Sequence, residues 1–375
     1  MYYSLQACRA VAALLVVCYH AGANLAKDKY FGSVADPLRD IFSFGGPAGV
    51  SFFFVLSGFI ICRVHAEDFG HPERLRAYLG KRIRRIYPTY WIVFFAVYGL
   101  ALATPSLRDT VPHDIPTLAR SLLLLPQDVA VVGGTGAPVI VVAWSLQYEI
   151  VFYAAIAAAI VSARLFAALV VLFCVNFIAY RVVAQGGFPQ AFFANPQILL
   201  FAMGMLVARY ARAGAALRRP ALLGALAALA MAGIGALQVV DAHASPEIRF
   251  DLAYGLASSA LVLALVTIED RAPAAFPHRA ASLMGDSSYA LYLVHFPLLA
   301  LLCKAASAAG LSGRAGAVFA FVACVAGCCA FALAFHWYGE APLLRRLAGA
   351  RPPPRATGQD APGVTNPSRT QPGPS

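Results

Sequence analysis

The sequence predicts an all-α, polytopic membrane helical bundle with about ten transmembrane helices, and three observations carry that prediction. Hydrophobic residues fill 60% of the 375 positions and charged residues only 13%, with a mean hydropathy of +0.69; a soluble domain carries about 25% charged residues. Apolar runs long enough to cross a hydrocarbon core about 30 Å thick recur along the whole chain. Basic residues, finally, are distributed unevenly between alternate connections, as topology requires of a multi-pass protein.

The runs fall at approximately 5–25, 46–62, 88–104, 139–161, 164–183, 192–210, 220–240, 250–268, 286–303 and 316–338. Ten crossings place both termini on one side. With that side inside, the inner segments hold 20 of the 29 Lys and Arg residues, so both termini are expected to be cytoplasmic. The inner cluster includes Arg9, the dense segment from Arg63 to Arg85, Arg209 to Arg219, Arg271 and Arg279, and Arg345, Arg346, Arg351, Arg355 and Arg369. The net charge of +11 then reflects topology and anionic lipid headgroups, and no nucleic-acid partner is needed to explain it.

Between the runs, the inner segment 63–87 reads as a long basic loop, and the outer segment 105–138 contains a predicted interfacial helix, Ile115 to Leu125, between Pro112 and Pro126. Residues 1–345 read as one transmembrane domain and 346–375 as a disordered cytoplasmic tail. From Gly349 onward the chain is rich in Pro, Gly, Ser and Thr and has little apolar content with which to bury a core. The first helix is expected to be retained, although Ala21-Gly22-Ala23 resembles a signal-peptidase site. The eight cysteines contain no CxxC pair and read as small core residues, not as a disulfide or metal framework.

Ionisable groups inside a bilayer are costly, which makes them functional candidates. His20, Glu149 and His295 stand out, each reckoned at about 1.5 Å per residue to lie near mid-membrane. Their convergence would suit a buried site in which Glu149 orients His20 as a general base; the alternative is a polar cluster that only holds helices together. Ser145 and Glu149 lie one helical turn apart, and Ser288, Tyr292 and His295 follow at i, i+4 and i+7, giving two hydroxyl-plus-ionisable stripes. Lys81, Arg82, Arg84 and Arg85 form a dense cationic patch suited to phosphate, as on a coenzyme A donor, although positive-inside anchoring explains such a run as well. Gly45-Gly46 and the stretch Ser51 to Phe59, which includes Ser57 and Gly58, signal close helix packing. No metal is implied, because the membrane histidines lack ligand spacing.

Together these runs resemble the acyltransferase-3 family of bacterial integral-membrane O-acyltransferases. The matches are Arg9 with His20 in the first helix; Phe53-Phe54-Val55-Leu56-Ser57-Gly58-Phe59 in the second; Arg82, Arg85 and Pro88 before the third; Trp144-Ser145-Leu146, Glu149 and Phe152-Tyr153 in the fourth; and Ser288-Tyr289, Tyr292-Leu293 and His295 in the ninth. They occur in family order over residues 5 to about 340. The fifth to eighth helices carry no such motif.

The resemblance implies transfer of an acyl group, most often acetyl, from cytoplasmic acyl-CoA to a hydroxyl of a cell-surface or lipid-linked saccharide. Essential roles then fall on Arg9 and His20, and donor binding on Lys81, Arg82, Arg84, Arg85 and Ser57. An extracytoplasmic hydrolase-like domain, attached in some relatives, is not expected here, and the location is the inner membrane. The competing class is a proton-coupled transporter or flippase using His20 and Glu149 as a relay. It would call for paired broken helices with midmembrane Gly or Pro, of which the sequence offers no convincing pair.

Overall fold

The computed structural model describes residues 2–183, 186–213, 217–240, 248–273 and 283–347. Arg279, Arg351, Arg355, Arg369 and all but the first two positions of the expected tail lie outside the described residues. Ten helices are long and apolar enough to cross a membrane among the described residues, which contain no strand. They are α1 (Tyr3–Leu25), α2 (Gly45–His65), α3 (Leu75–Ala103), α4 (Trp144–Val161), α5 (Ala163–Val183), α6 (Gln197–Arg212), α7 (Pro220–Val240), α8 (Ile248–Arg271), α9 (Ser288–Ala308) and α10 (Gly313–Phe335).

Two helix starts differ from the sequence reading. α3 begins at Leu75, about a dozen residues before the apolar run, so Lys81 to Arg85 lie on a helix instead of a loop, and Pro88 sits inside that helix. Hydropathy is blind to this extension, whereas Leu, Arg, Ala and Lys are all good helix formers. α4 begins at Trp144, after a single 3₁₀ turn at Val141–Ala143, so Glu149 is five residues into the helix and not ten. The connection between α3 and α4 does contain a short helix, Ile115–Leu122, whose first turn is capped by the Asp114 carboxylate accepting from the Thr117 N–H at 2.8 Å.

The core is built on α2, which packs along α1 and α6. Lipid tails are as apolar as the helices, so close backbone approach must supply the attraction. Glycine provides that approach. A Cβ at Gly58 would strike the Phe201 carbonyl, one at Gly204 the Val55 carbonyl, and one at Gly45 the Leu15 carbonyl. α6, which carries none of the family motifs, thus clamps the helix that carries the aromatic one. Two helices stand outside this core. None of the α5 residues in its most apolar window is buried, and α7 packs chiefly against α8. Cys174 therefore sits exposed on α5, which corrects its assignment to the core, while Cys18, Cys62, Cys303, Cys324 and Cys328 are buried.

Candidate active site

A cavity of about 340 Å³ opens among α1, α2, α3, α4 and α9. Ten of the side chains singled out in the sequence line it: Arg9, Ser57, Lys81, Arg82, Arg85, Ser145, Glu149, Ser288, Tyr289 and Tyr292. Helical spacing explains the selection. Lys81, Arg82 and Arg85 share one side of α3, while Arg84 turns away, its Nε donating to the Gly80 carbonyl at 3.0 Å. On α4, Ser145, Glu149 and Tyr153 repeat every four residues and face the cavity together.

The arginines are held by neutral groups. Arg82 donates to the His65 Nε2 at 3.1 Å and lies over the rings of Tyr78 and Tyr153 at 5.8 and 5.6 Å. Because His65 accepts through Nε2, its Nδ1–H donates to Asp68 at 2.7 Å, so a carboxylate and an imidazole in series fix the guanidinium. Arg85 lies 5.5 Å over Tyr289. Arg9 donates to Gln6 Oε1 at 2.7 Å, and Gln6 Nε2 in turn donates to Asp286 at 2.8 Å. Among the described residues no carboxylate forms an ion pair with Arg9, Arg82 or Arg85. Their charge is left to act on an anion entering the cavity.

Glu149 belongs to this cluster. Its Oε1 accepts from Tyr153 OH at 2.5 Å and from Ser57 Oγ at 3.2 Å. The expected pairing of Glu149 with His20 is therefore corrected. Neither His20 nor His295 lines the cavity, and the His20 ring packs against Tyr19, His295 and Phe296 at centroid distances of 4.9, 5.2 and 5.1 Å. The reason is depth. Arg9 shares the cavity with Glu149, and His20 lies eleven residues, about 16 Å, further along α1.

His295 is fully buried. Its Nδ1 donates to the Leu291 carbonyl at 3.1 Å, so the neutral ring presents a bare Nε2 lone pair, and that atom has no hydrogen-bond partner among the described residues. Tyr292 bridges the two regions. It lines the cavity, its ring lies 5.9 Å from that of His295, and its hydroxyl shares a 2.7 Å hydrogen bond with Ser145 while reaching the Val142 carbonyl at 3.1 Å. Ser288 donates locally, to the Gly285 carbonyl at 2.6 Å, whereas the Tyr289 hydroxyl reaches across to the Ile86 carbonyl of α3 at 3.0 Å. Trp144 faces away from this cavity, toward a second one on the other side of α4.

The sequence reading missed three neighbours of the site. Gln6 acts through Arg9, three residues on, and the His65–Asp68 pair acts through Arg82; no short spacing announces the latter link, since His65 and Arg82 are 17 residues apart. Glu340 is buried just after α10, in a π-helical turn where it accepts from Thr89 at 3.0 Å and pairs with His336 at 2.7 Å. Screening for His and Glu four residues apart would have found that pair.

Residues 2–333 match the family profile described as an acyltransferase domain, the acyltransferase-3 family, which covers the cavity and the imidazole pair alike. The chain belongs to this family. It is accordingly a multi-pass membrane enzyme, an O-acyltransferase. Among curated proteins, the exopolysaccharide production protein ExoZ of Rhizobium meliloti (strain 1021) is 32% identical over 311 residues, spanning 80% of this chain and 90% of the relative. No solved structure gives a match. Within the acyltransferase, no group of three or more metal-ligating side chains occurs among the described residues.

Proposed function

We propose that this acyltransferase moves an acetyl group from cytoplasmic acetyl-CoA to a hydroxyl of a cell-surface or lipid-linked saccharide, acting from the inner membrane with both termini in the cytoplasm. The carrying observation is the 340 Å³ cavity, in which cations from α1 and α3, without a carboxylate ion pair among the described residues, meet hydroxyls from α2, α4 and α9. The bias of basic residues puts the cationic mouth at the cytoplasm, where the donor resides. There Lys81, Arg82 and Arg85 bind the donor phosphates, Arg84 adds positive field from the rim, and Arg9 and Ser57 line the path of the pantetheine arm. ExoZ is by its name an exopolysaccharide production protein, which supports a saccharide acceptor.

In this reading Tyr292 marks the passage to the imidazole pair. His20 takes the proton of the acceptor hydroxyl as its oxygen attacks the thioester carbonyl, the carbon–sulfur bond breaks, and the proton passes to the departing CoA thiolate. His295, its tautomer set by Leu291, packs its ring beside His20 and orients it. Glu149 offsets the cluster of buried cations and stays out of proton transfer. Residues 1–345 suffice as the catalytic domain, and 346–375 is a tail without a part in the reaction.

The test is acyl transfer by the purified protein in proteoliposomes, with labelled acetyl-CoA outside the face bearing the basic residues. Wild-type protein transfers label to the source strain's surface polysaccharide, while His20→Ala and Arg85→Ala insert normally and, at sub-saturating acetyl-CoA, transfer far less. Wild-type levels of polysaccharide acetylation in both variants would overturn the proposal.

A further inference from the structure

The second cavity, of about 410 Å³, lies on the opposite side of α4 and within the size range of small-molecule sites, roughly 300–1,000 Å³. Its position follows from the topology. Apart from the first residues of α4 and α6, it is lined from the α3–α4 connection, through Gln127 and Thr135, and from the α5–α6 connection, through Phe192 and Asn195. Both connections join an odd helix to an even one, so they lie at the membrane face opposite the basic segment that joins α2 to α3.

Its chemistry is also opposite. Among the described residues no lysine, arginine or histidine lines it, and the one carboxylate, Asp128, is used to cap a short helix at Ala130. Carboxamides and aromatic rings do the lining instead. Amides offer both donor and acceptor groups, and aromatic faces suit the C–H side of a sugar ring, so the cavity is matched to a neutral polyol and not to an anion. Gln147 donates to the Gly136 carbonyl at 2.9 Å and Asn195 accepts from the Gln197 N–H at 2.9 Å, which fixes the walls. One acceptor remains unused. Gln197 Oε1 is buried with no hydrogen-bond partner among the described residues. A buried acceptor left unmade costs about 1–3 kcal/mol; the Gln197 side chain, which also hydrogen-bonds Asp251 of α8, lines the cavity, and a small turn of it would bring this oxygen to a ligand hydroxyl.

We propose that this cavity is a saccharide-binding subsite, which holds one neutral sugar unit of the acceptor while a different unit presents the reacting hydroxyl. The inference deepens the proposed function and rests on its saccharide acceptor. The held unit is not the reacting one, because His20 does not line this cavity. The two cavities are adjacent all the same. Trp144 meets the ring of Phe54 edge-on at 6.4 Å, and Phe54 lines the donor cavity. Binding a remote sugar here supplies orientation energy for the reacting one.

The experiment uses full-length protein labelled with 5-fluorotryptophan in phosphatidylcholine nanodiscs. Its three tryptophans, Trp91, Trp144 and Trp337, give separate fluorine resonances, with Trp144 assigned through the conservative variant Trp144→Phe. The probe is oligosaccharide prepared from the source strain's surface polysaccharide after mild base has removed its O-acyl esters. The Trp144 resonance should move on titration with this probe and stay put with acetyl-CoA, while Gln197→Leu should raise the oligosaccharide Kd at least tenfold and leave the acetyl-CoA Kd unchanged. A Trp144 resonance indifferent to the oligosaccharide, or wild-type oligosaccharide affinity in Gln197→Leu, overturns the subsite. The wild-type titration needs no variant to fold. If acetyl is transferred from acetyl-CoA to the polysaccharide while Trp144 does not respond, the subsite alone falls. If Trp144 responds and no acetyl is transferred, the saccharide site stands and the donor assignment falls.

Discussion

The two ends of α1 sit in opposite electrostatic surroundings. Around Arg9 the bundle gathers Lys81, Arg82, Arg85 and Glu149, with Arg9, Arg82, Arg85 and Glu149 steadied by hydroxyls, amides or aromatic faces. Eleven residues on, His20 has aromatic rings and a second imidazole for neighbours, and among the described residues no carboxylate pairs with it. The contrast teaches that binding and proton transfer place different demands on a membrane interior. An anionic donor needs fixed cations whose cost of burial is met by a surrounding shell of dipoles. A base working near neutrality needs its proton-accepting nitrogen unprotonated, and an apolar pocket favours that neutral form.

If this division holds, the substitutions rank in a definite order. His20→Ala should cost most, about a thousandfold in kcat with the acetyl-CoA Kd little changed, as expected for loss of a general base; single-turnover assays alongside donor-binding titrations would reveal the split. Arg85→Ala should do the reverse, weakening acetyl-CoA binding by about 10- to 100-fold for one lost charge-assisted contact, with an effect that shrinks as salt rises. An Arg85→Ala enzyme with normal donor affinity and depressed kcat would merge the two regions into one.

Glu149→Gln is the sharper probe, because a carboxylate paired with the imidazole proposed as the base would set its protonation. With Glu149 in the donor cluster, the acid limb of the pH–rate profile should stay where it is, and donor affinity should change by less than about tenfold, since glutamine still accepts from Ser57 and Tyr153. Displacement of the acid limb by a full pH unit would restore the His20–Glu149 pairing.

The smallest effect belongs to the interfacial helix outside both regions. The Thr117 N–H holds the Asp114 carboxyl below its ordinary value of 3.8, so the cap is fully formed above that value and is lost as pH falls through the lowered one. Asp114→Ala should therefore speed amide exchange at Thr117 at neutral pH while leaving acyl transfer within about twofold of wild type. At a pH well below 3.8 the variant and wild type should exchange alike.

Several features were legible before any coordinates. Hydrophobic run length tracks the thickness of the bilayer, so ten crossings could be counted from composition alone. Helical periodicity is equally local, and it placed Ser145 with Glu149 and Ser288 with Tyr292 on shared faces that do line one cavity. The glycines at 45 and 58 announced close packing, though not against which helix.

What only the tertiary structure decided was partnership across helices. A spacing along one helix says nothing about the rotation or depth of its neighbour, so His20 and Glu149, each placed near mid-membrane by counting residues, proved to belong to different clusters. Run length also hid the true start of α3, because arginine and lysine extend a helix without adding hydropathy. The contact of His20 with His295, the relay from Asp68 through His65 to Arg82, and the unused Gln197 oxygen all join residues whose separation is set by packing. Covalent order governs which side chains a helix displays, and the fit of helix against helix governs which of them meet.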